Sequence, residues 1–420
     1  MKKLTGLAVV VLLLNAVPLT AGTHYVSLLS TNPISPYTNW ATAAVTIQQA
    51  VDATVDGDQV LVTNGSYASG ARALNGTSNR VAVTNSITLR SVNGPAVTAI
   101  IGAGPLGADA VRCVYLGSNA VLDGFTLTNG ATQLMISYDQ DYSTVVGGGV
   151  FCDSGVLTNC VLAGNSAWYY GGGAAGGTLN NCMLTGNSAE YGGGASSWAT
   201  LNNCILYFNT AAQGSSNYDD ECTLSYCCTT PLPYGMANFT APPLFLDTNG
   251  WGNLRLQSNS PCINAGFNTY APGAADLDSN PRIIGGTVDV GAYEFQSPLS
   301  VISYTWLQRY GLPVDGSADF TDPDHDGLNN WQEWRCLTEP TNALSALRLL
   351  SVTPVGTNVT VTWLSVPGVS YFLERCTNLV SLPPFSLLAT NLPGQFGTTS
   401  FTDTNTAGAS LFFYRVGVGN

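Results

Sequence analysis

The feature that most constrains this chain is a short unit repeated at a nearly fixed period. Asn159-Cys160, Asn181-Cys182 and Asn203-Cys204 recur 22 residues apart. Asn165, Asn187 and Asn209 follow at a common offset, and Gly147-Gly148-Gly149, Gly171-Gly172-Gly173 and Gly192-Gly193-Gly194 punctuate the same units. The string Gly-Asn-Ser-Ala occurs at 164–167 and again at 186–189. Between the glycines lie alternating runs such as LTNCVL at 157–162, too short for helices and patterned like half-buried strands. A period near 22 that holds several short strands predicts an all-β chain whose body is a right-handed parallel β-helix.

Stacked coils lie ~4.8 Å apart, so equivalent residues form ladders. Cys160, Cys182, Cys204 and Cys227 are expected to make an inward thiol ladder, and the asparagines amide ladders bonded from coil to coil. A buried thiol behaves as a small hydrophobe. The cysteine ladder lacks histidine and Cys-x-x-Cys spacing, which argues against a metal there. LDGF at 122–125 aligns with the Asn-Cys position and places Asn129 at the later asparagine, TNSI at 84–87 aligns upstream, and Tyr226-Cys227 continues the pattern. Coils are therefore expected from about residue 58 to about residue 295.

A β-helix needs capped ends. Residues 46–53 can form a short amphipathic helix, with Ile47, Ala50 and Val51 on one face. It leads into Gly57-Asp58-Gln59-Val60-Leu61-Val62, read as the first strand, and a turn at Asn64-Gly65. This opening resembles the first coil of pectin-lyase-fold proteins, which implies that fold for residues 22–296.

The closing stretch carries a second resemblance. Ser260-Pro261-Cys262-Ile263-Asn264-Ala265-Gly266, then Asp276-Leu277-Asp278, Pro281-Arg282 and Gly285-Gly286-Thr287-Val288-Asp289-Val290-Gly291-Ala292-Tyr293-Glu294 resemble the choice-of-anchor Q domain of secreted bacterial β-helix proteins, over 240–296. That resemblance implies a surface-exposed or released protein. Its Asp, Arg and Glu are expected to pair structurally within a cap.

Residues 297–345 read as a linker with two short helices around an acidic loop. In the 322–333 segment Asp322, Asp324 and Asp326 stand at loop positions 1, 3 and 5, Gly327 at 6, the Leu328 carbonyl at 7, Asn330 at 9 and Glu333 at 12. Calcium takes six to eight oxygen ligands, and this spacing supplies them. The loop resembles those of dockerins and thrombospondin type 3 repeats, except that Asn329 stands where an aliphatic residue is usual. A structural calcium stiffening a hinge is the expectation. Residues 346–420 alternate like a small sandwich, with VTVTW at 359–363, and resemble a fibronectin-III or immunoglobulin-like module.

Export follows from the amino-terminal residues. Lys2 and Lys3 precede an apolar run at 4–14 and the small-residue cut Leu19-Thr20-Ala21, so residues 1–21 read as a signal peptide. Both lysines fall in it. With a net charge of −13 and no mature lysine, the chain is a poor partner for nucleic acid. No later stretch has the length of a transmembrane anchor, so a secreted or cell-surface location is expected. The 11 cysteines are an odd number, and Cys336 with Cys376 is one pairing left open.

Catalysis needs its own residues, whatever the fold. A lyase needs a basic proton acceptor; Arg72, Arg80, Arg90 and Arg112 are the arginines of the first two hundred residues, and none lies in a lyase motif. The two histidines, His24 and His325, fit no glycosidase pattern. Asp139, Asp141 and Glu190 are the candidate catalytic carboxylates, and Trp168, Tyr169, Tyr170 and Tyr191 the candidate glycan platform. The leading function is a non-catalytic glycan- or matrix-binding protein. The alternatives are a divergent polysaccharide lyase or glycoside hydrolase, and a purely structural envelope component.

Overall fold

The computed structural model describes residues 21–137, 139–249, 253–271, 273–380, 383–406 and 411–419. Residues 1–20 of the expected leader, 1–21, lie outside them. From residue 22 the chain winds as a parallel β-helix with three long sheets of eight, seven and six strands. Successive coils contribute one strand to each sheet. One coil runs through Val156–Thr158 in the first sheet, Val161–Ala163 in the second and Ala174–Ala175 in the third, then returns to the first at Thr178–Asn180.

The register explains the core. Val60, Leu89, Leu122, Leu157, Leu179, Leu201 and Leu224 pair in sequence along the first sheet and are fully buried. Each such side chain contributes about 1.5 to 3 kcal/mol on burial. Asn159, Asn181 and Asn203 turn the chain from the first sheet into the second with φ of 51° each, a left-handed conformation that asparagine tolerates. The next residue then points inward, and Cys160, Cys182, Cys204 and Cys227 form the expected fully buried ladder of free thiols. Cys182 N–H donates to Cys204 Sγ and Cys204 N–H to Cys227 Sγ, both at 3.4 Å.

The triple glycines have a steric cause. A Cβ on Gly148, Gly172 or Gly193 would stand 2.3, 2.3 and 2.1 Å from the carbonyls of Ser166, Ser188 and Thr210. The coil is flattened there, and only glycine lets its two walls approach.

Side-chain amides close both ends. α1 (Ile47–Val51) begins with a Thr46–Gln49 capping box. Its Gln48 accepts from Ala82 N (2.7 Å) and donates to Ala82 O (3.2 Å), standing in for a missing strand over Thr77–Val83. At the far end Asn238 accepts from Cys227 N and donates to Leu224 O, each at 2.9 Å.

Four expectations need correcting. The first strand is Thr23–Val26, paired with Gln59–Val62, so His24 heads the inward column. Asn129 lies one residue before the asparagine ladder: Thr128 pairs with Ala163, and it is Gly130 N that reaches Asn165 Oδ1. Residues 84–87 join the third-sheet strand Thr77–Val83 to the first-sheet strand Thr88–Ser91, whereas Asn159-Cys160 joins the first sheet to the second, so TNSI is not an Asn-Cys equivalent.

The fourth correction is the largest. The three sheets end at Ser225, Thr229 and Ser196, and the described residues between 243 and 295 add no strand to them. It folds back as a strap along the outer face of the second sheet. Phe245, Leu254, Leu256, Cys262, Ile263, Val290 and Ala292 cover Val161, Ala163, Met183 and Ile205 there. Burying outward-facing apolar residues is the reason for this course.

α2 (Tyr304–Arg309) follows, and its Tyr304 packs into the strap. The acidic loop and α3 (Asn330–Cys336) come next. The tail is a sandwich of two three-stranded antiparallel sheets around Val361, Trp363, Tyr371 and Leu373. Cys336 and Cys376 are both free thiols. No helix among the described residues is long and apolar enough to cross a membrane.

Candidate functional sites

The loop at 322–333 brings its predicted ligands together. One carboxylate oxygen from each of Asp322, Asp324 and Asp326 lies within 4.8 Å of the others. Gly327 has φ of 97°, which permits the sharp turn at position 6. One oxygen of each aspartate is held by the loop backbone: Asp322 Oδ2 accepts from Gly327 N (3.0 Å), Asp324 Oδ1 from Asp326 N (3.3 Å) and Asp326 Oδ1 from Leu328 N (2.8 Å). The other oxygen of each, together with Asn330 Oδ1 and Glu333 Oε2, is buried without a hydrogen-bond partner. Five buried acceptors in one loop without donors are costly unless a cation meets them. Burial, then Asp324 and Asp326, push the Glu333 carboxyl up to about 7.

Asn329 at position 8 is also explained. It caps α3, accepting from Gln332 N (3.0 Å) while Gln332 Oε1 accepts from Asn329 N (2.9 Å). Asn330 is aimed by its own amide, which donates to Ala318 O (2.8 Å). His325 is exposed.

The aromatic residues converge on the outer side of the third sheet. Tyr169 N donates to Val145 O and Tyr191 N to Tyr169 O, and a parallel bridge sets Tyr191 against Tyr170 on the neighbouring coil. Tyr170 and Tyr191 stack with centroids 5.2 Å apart, and Tyr169 meets both edge-on. Tyr142 is not their coil equivalent. It comes in from the 3-10 turn Tyr142–Thr144 and packs on Tyr169 and Tyr170 at 6.3 and 5.9 Å. Trp168 is 41% exposed.

Arg112 holds that turn from inside. It is buried, donates to Gly147 O (2.8 Å), Val146 O (2.8 Å), Asn79 Oδ1 (2.9 Å) and Ser143 O, and burial lowers its pKa.

The candidate carboxylates behave differently from expectation. Asp141 caps the 3-10 turn, accepting from Ser143 N (2.9 Å). Glu190 accepts from Gln213 (2.8 Å), which in turn meets the Tyr191 hydroxyl at 3.3 Å. Asp139 is exposed. No hydrogen bond joins Asp139 or Asp141 to Glu190 among the described residues. The acidic neighbours of the tyrosines are instead Asp219 and Glu221. Burial foremost, then charges that include these two, push the Tyr142 and Tyr170 phenols up to about 12. Tyr142 OH meets Ser197 Oγ at 3.0 Å, and Ser197 N donates to Asp219 (3.2 Å). Residues 214–222 fall outside the 22-residue pattern, so periodicity gave no register for them.

The strap carboxylates serve the backbone. Asp276 accepts from Asp278, Asn280 and Glu294 N–H, Asp289 from Asn264 and Phe295, and Glu294 from Ile284 and Asp289. Arg282 is buried and donates to Asn181 Oδ1 (2.8 Å), Ala292 O (3.1 Å) and Gly291 O (2.5 Å), which pins the strap to the asparagine corner. The expected pairing within this group is thus made through amides and carbonyls. The ion pair of the region joins Arg255 to Asp278.

Among solved structures the chain is similar to a rhamnogalacturonan lyase, at 14% identity and TM-score 0.31, over 52% of this chain and 65% of that one. It is also similar to a pectate lyase, at 12% identity and TM-score 0.23, over 65% of this chain and 97% of that one. The chain thus spans less than two thirds of the first of these. No protein-family model and no curated protein matches it.

Proposed function

We propose that this is an exported glycan-binding protein whose β-helix presents the Tyr142, Trp168, Tyr169, Tyr170 and Tyr191 face to a polysaccharide. The observation that carries this reading is the ring cluster itself, built across stacked coils and flanked by hydroxyl and carboxylate groups. Sugar rings offer C–H faces to aromatic planes and hydroxyls to such acceptors, the mixture typical of small-ligand sites. Asp219 and Glu221 favour a neutral glycan over a polyuronate.

Binding without cleavage is supported by the state of the arginines. Arg72 is paired with Asp52, and Arg90 with Asp123 at 3.2 Å. Arg80 donates to Ile101 O (2.7 Å) and Gly70 O (2.5 Å), and Arg112 is buried in the scaffold. Each has a structural duty. The leader, the choice-of-anchor Q resemblance of 240–296 and the fibronectin-like tail favour a released or surface-held protein. Asp322, Asp324, Asp326, Leu328, Asn330 and Glu333 are proposed to hold a structural calcium between α2 and the sandwich, where it would supply charge neutralisation and rigidity.

Retention on immobilised neutral and acidic polysaccharides tests the reading. We expect retention by a neutral glycan, lost by at least tenfold in Trp168→Ala and Tyr170→Ala while the thermal midpoint stays within a degree or two. New reducing or unsaturated ends from any of these polymers would overturn it in favour of an enzyme.

A further inference from the structure

At the start of the first coil two titratable side chains are buried against each other. Asp58 is 6% exposed and His24 5% exposed. His24 Nε2 lies 3.0 Å from Asp58 Oδ2 and its Nδ1 2.6 Å from Pro36 O, so both ring nitrogens face oxygens. Val55 N donates to Asp58 Oδ2 at 2.9 Å. The closest donor to the carboxylate is Gly22 N, 2.5 Å from Oδ1. Gly22 is fixed from its other side as well, because its carbonyl accepts from Gln59 N at 2.9 Å.

A side chain at position 22 would push the Asp58 carboxylate out of place. A Cβ there would lie 2.9 Å from Asp58 Oδ1 and 3.2 Å from Cγ. Ala21, one residue earlier, is exposed. The bond between the two is the one that the small-residue sequence Leu19-Thr20-Ala21 marks for a leader peptidase.

We propose that the mature amino terminus is Gly22, and that its α-ammonium group is a built-in ion-pair partner of the buried Asp58 carboxylate, closing the first coil. Hydrolysis of the Ala21–Gly22 amide by water releases the leader as a carboxylate and leaves an amine where a peptide N–H stood. The amine keeps the bond to Asp58 and adds a positive charge to it, which makes the hydrogen bond charge-assisted. Processing thereby stabilises the folded product relative to its precursor. The inference rests on the export part of the reading above and is independent of glycan binding.

The sequence makes the test unusually clean. Lys2 and Lys3 leave with the leader, so the Gly22 amine is the sole primary amine of the mature chain. The charged groups around it are Asp58 and His24, from the turn and the first strand, and Asp56, whose carboxylate accepts from Ser86 N.

The full chain would be exported from a bacterial host and its intact mass measured. The product is then reductively methylated with ¹³C-formaldehyde and its single amine resonance titrated. A mass starting at Gly22, with the amine titrating clearly above the ordinary α-amino range of about 7.7 to 8.0, is the expected result. Asp58→Asn should return the titration to the ordinary range. A chain starting at Ala21, which keeps Asp58, should do the same and melt several degrees lower; it serves if Asp58→Asn does not fold. Failure to be exported or cut overturns the export reading along with the inference. A start at another residue, or an amine that titrates ordinarily beside an intact Asp58, overturns the inference alone.

Discussion

Two parts of the molecule bury side-chain oxygens and treat them in opposite ways. In the coils, Asn187 Nδ2 donates to Asn209 Oδ1 (2.9 Å) and Leu162 O (2.8 Å), and its Oδ1 accepts from Asn165 Nδ2 and Asn165 N, both at 3.0 Å. Asn209 passes the pattern to Asn217, whose amide ends on Thr230 O (2.8 Å). In the loop at 322–333, five oxygens are buried and no N–H reaches them. The ladder is complete as a protein. The loop leaves its acceptors to a proposed cation. Burial alone therefore does not mark a site; a cluster of buried acceptors without donors does.

The ladder side of this comparison carries the largest expected effect. Asn187→Ala removes four hydrogen bonds among buried groups, each worth about 1 kcal/mol net, so a loss on the order of 4 kcal/mol is expected. The loss should appear in the denaturant midpoint of the coils and be the same with calcium or with chelator. A loss under about 1 kcal/mol would mean that the leucine column, and not the amides, sets the stack.

A buried carboxylate in the sandwich sharpens the contrast, because it has the donors the loop lacks. Asp403 is 1% exposed and accepts from Asn405 N (3.0 Å), Tyr414 OH (2.9 Å) and Arg375 (2.6 Å). Burial raises its pKa, but these donors outweigh it and the net shift is downward from 3.8. A carboxylate with a depressed folded pKa adds stability that is present above its ordinary pKa and lost as pH falls through the folded value. Asp403→Asn should cost about 2 to 3 kcal/mol at neutral pH. It should also flatten the acid limb of the tail's stability below about pH 4, read by Trp363 fluorescence against pH. An unchanged acid limb would assign that limb to other carboxylates.

How far the sequence reveals all this follows from the same physics. The period located the coils because each coil must repeat the geometry of its neighbour: left-handed Asn159, inward Cys160, inward Leu157. The proposed calcium ligands are legible because one loop supplies all of them, in a fixed order. The strap was misread as further coils, although its signal was present. Second-sheet strands such as Val161–Ala163 and Met183–Thr185 are buried at every position, whereas Thr178–Asn180 in the first sheet alternates. Apolar residues on both faces of a strand demand a cover. The acidic neighbours of the tyrosines were illegible, since Asp219 and Glu221 reach Tyr142 and Tyr170 from an aperiodic segment. The buried place of His24 is not legible, because nothing local announces that Thr23–Val26 pairs with Gln59–Val62.

The loop supplies the smallest effect and the one whose sign separates the two regions. At calcium ten times the dissociation constant, binding to the folded state alone adds ~1.4 kcal/mol, from RT ln(1 + [L]/Kd). Chelation should lower the thermal midpoint of the wild-type chain correspondingly. In Asp326→Asn the calcium response should vanish, because one anionic ligand is gone from a cluster in which one oxygen of each aspartate stands within 4.8 Å of the others. Without calcium, however, the same substitution should be neutral or slightly stabilising. It relieves repulsion among Asp322, Asp324 and Asp326 and eases the charge that now crowds Glu333. A ladder residue cannot behave this way: removing Asn187 leaves partners stranded under every condition. If Asp326→Asn destabilises the chelated protein as much as the calcium-loaded one, the loop is an internally satisfied turn, and the distinction between the two regions fails.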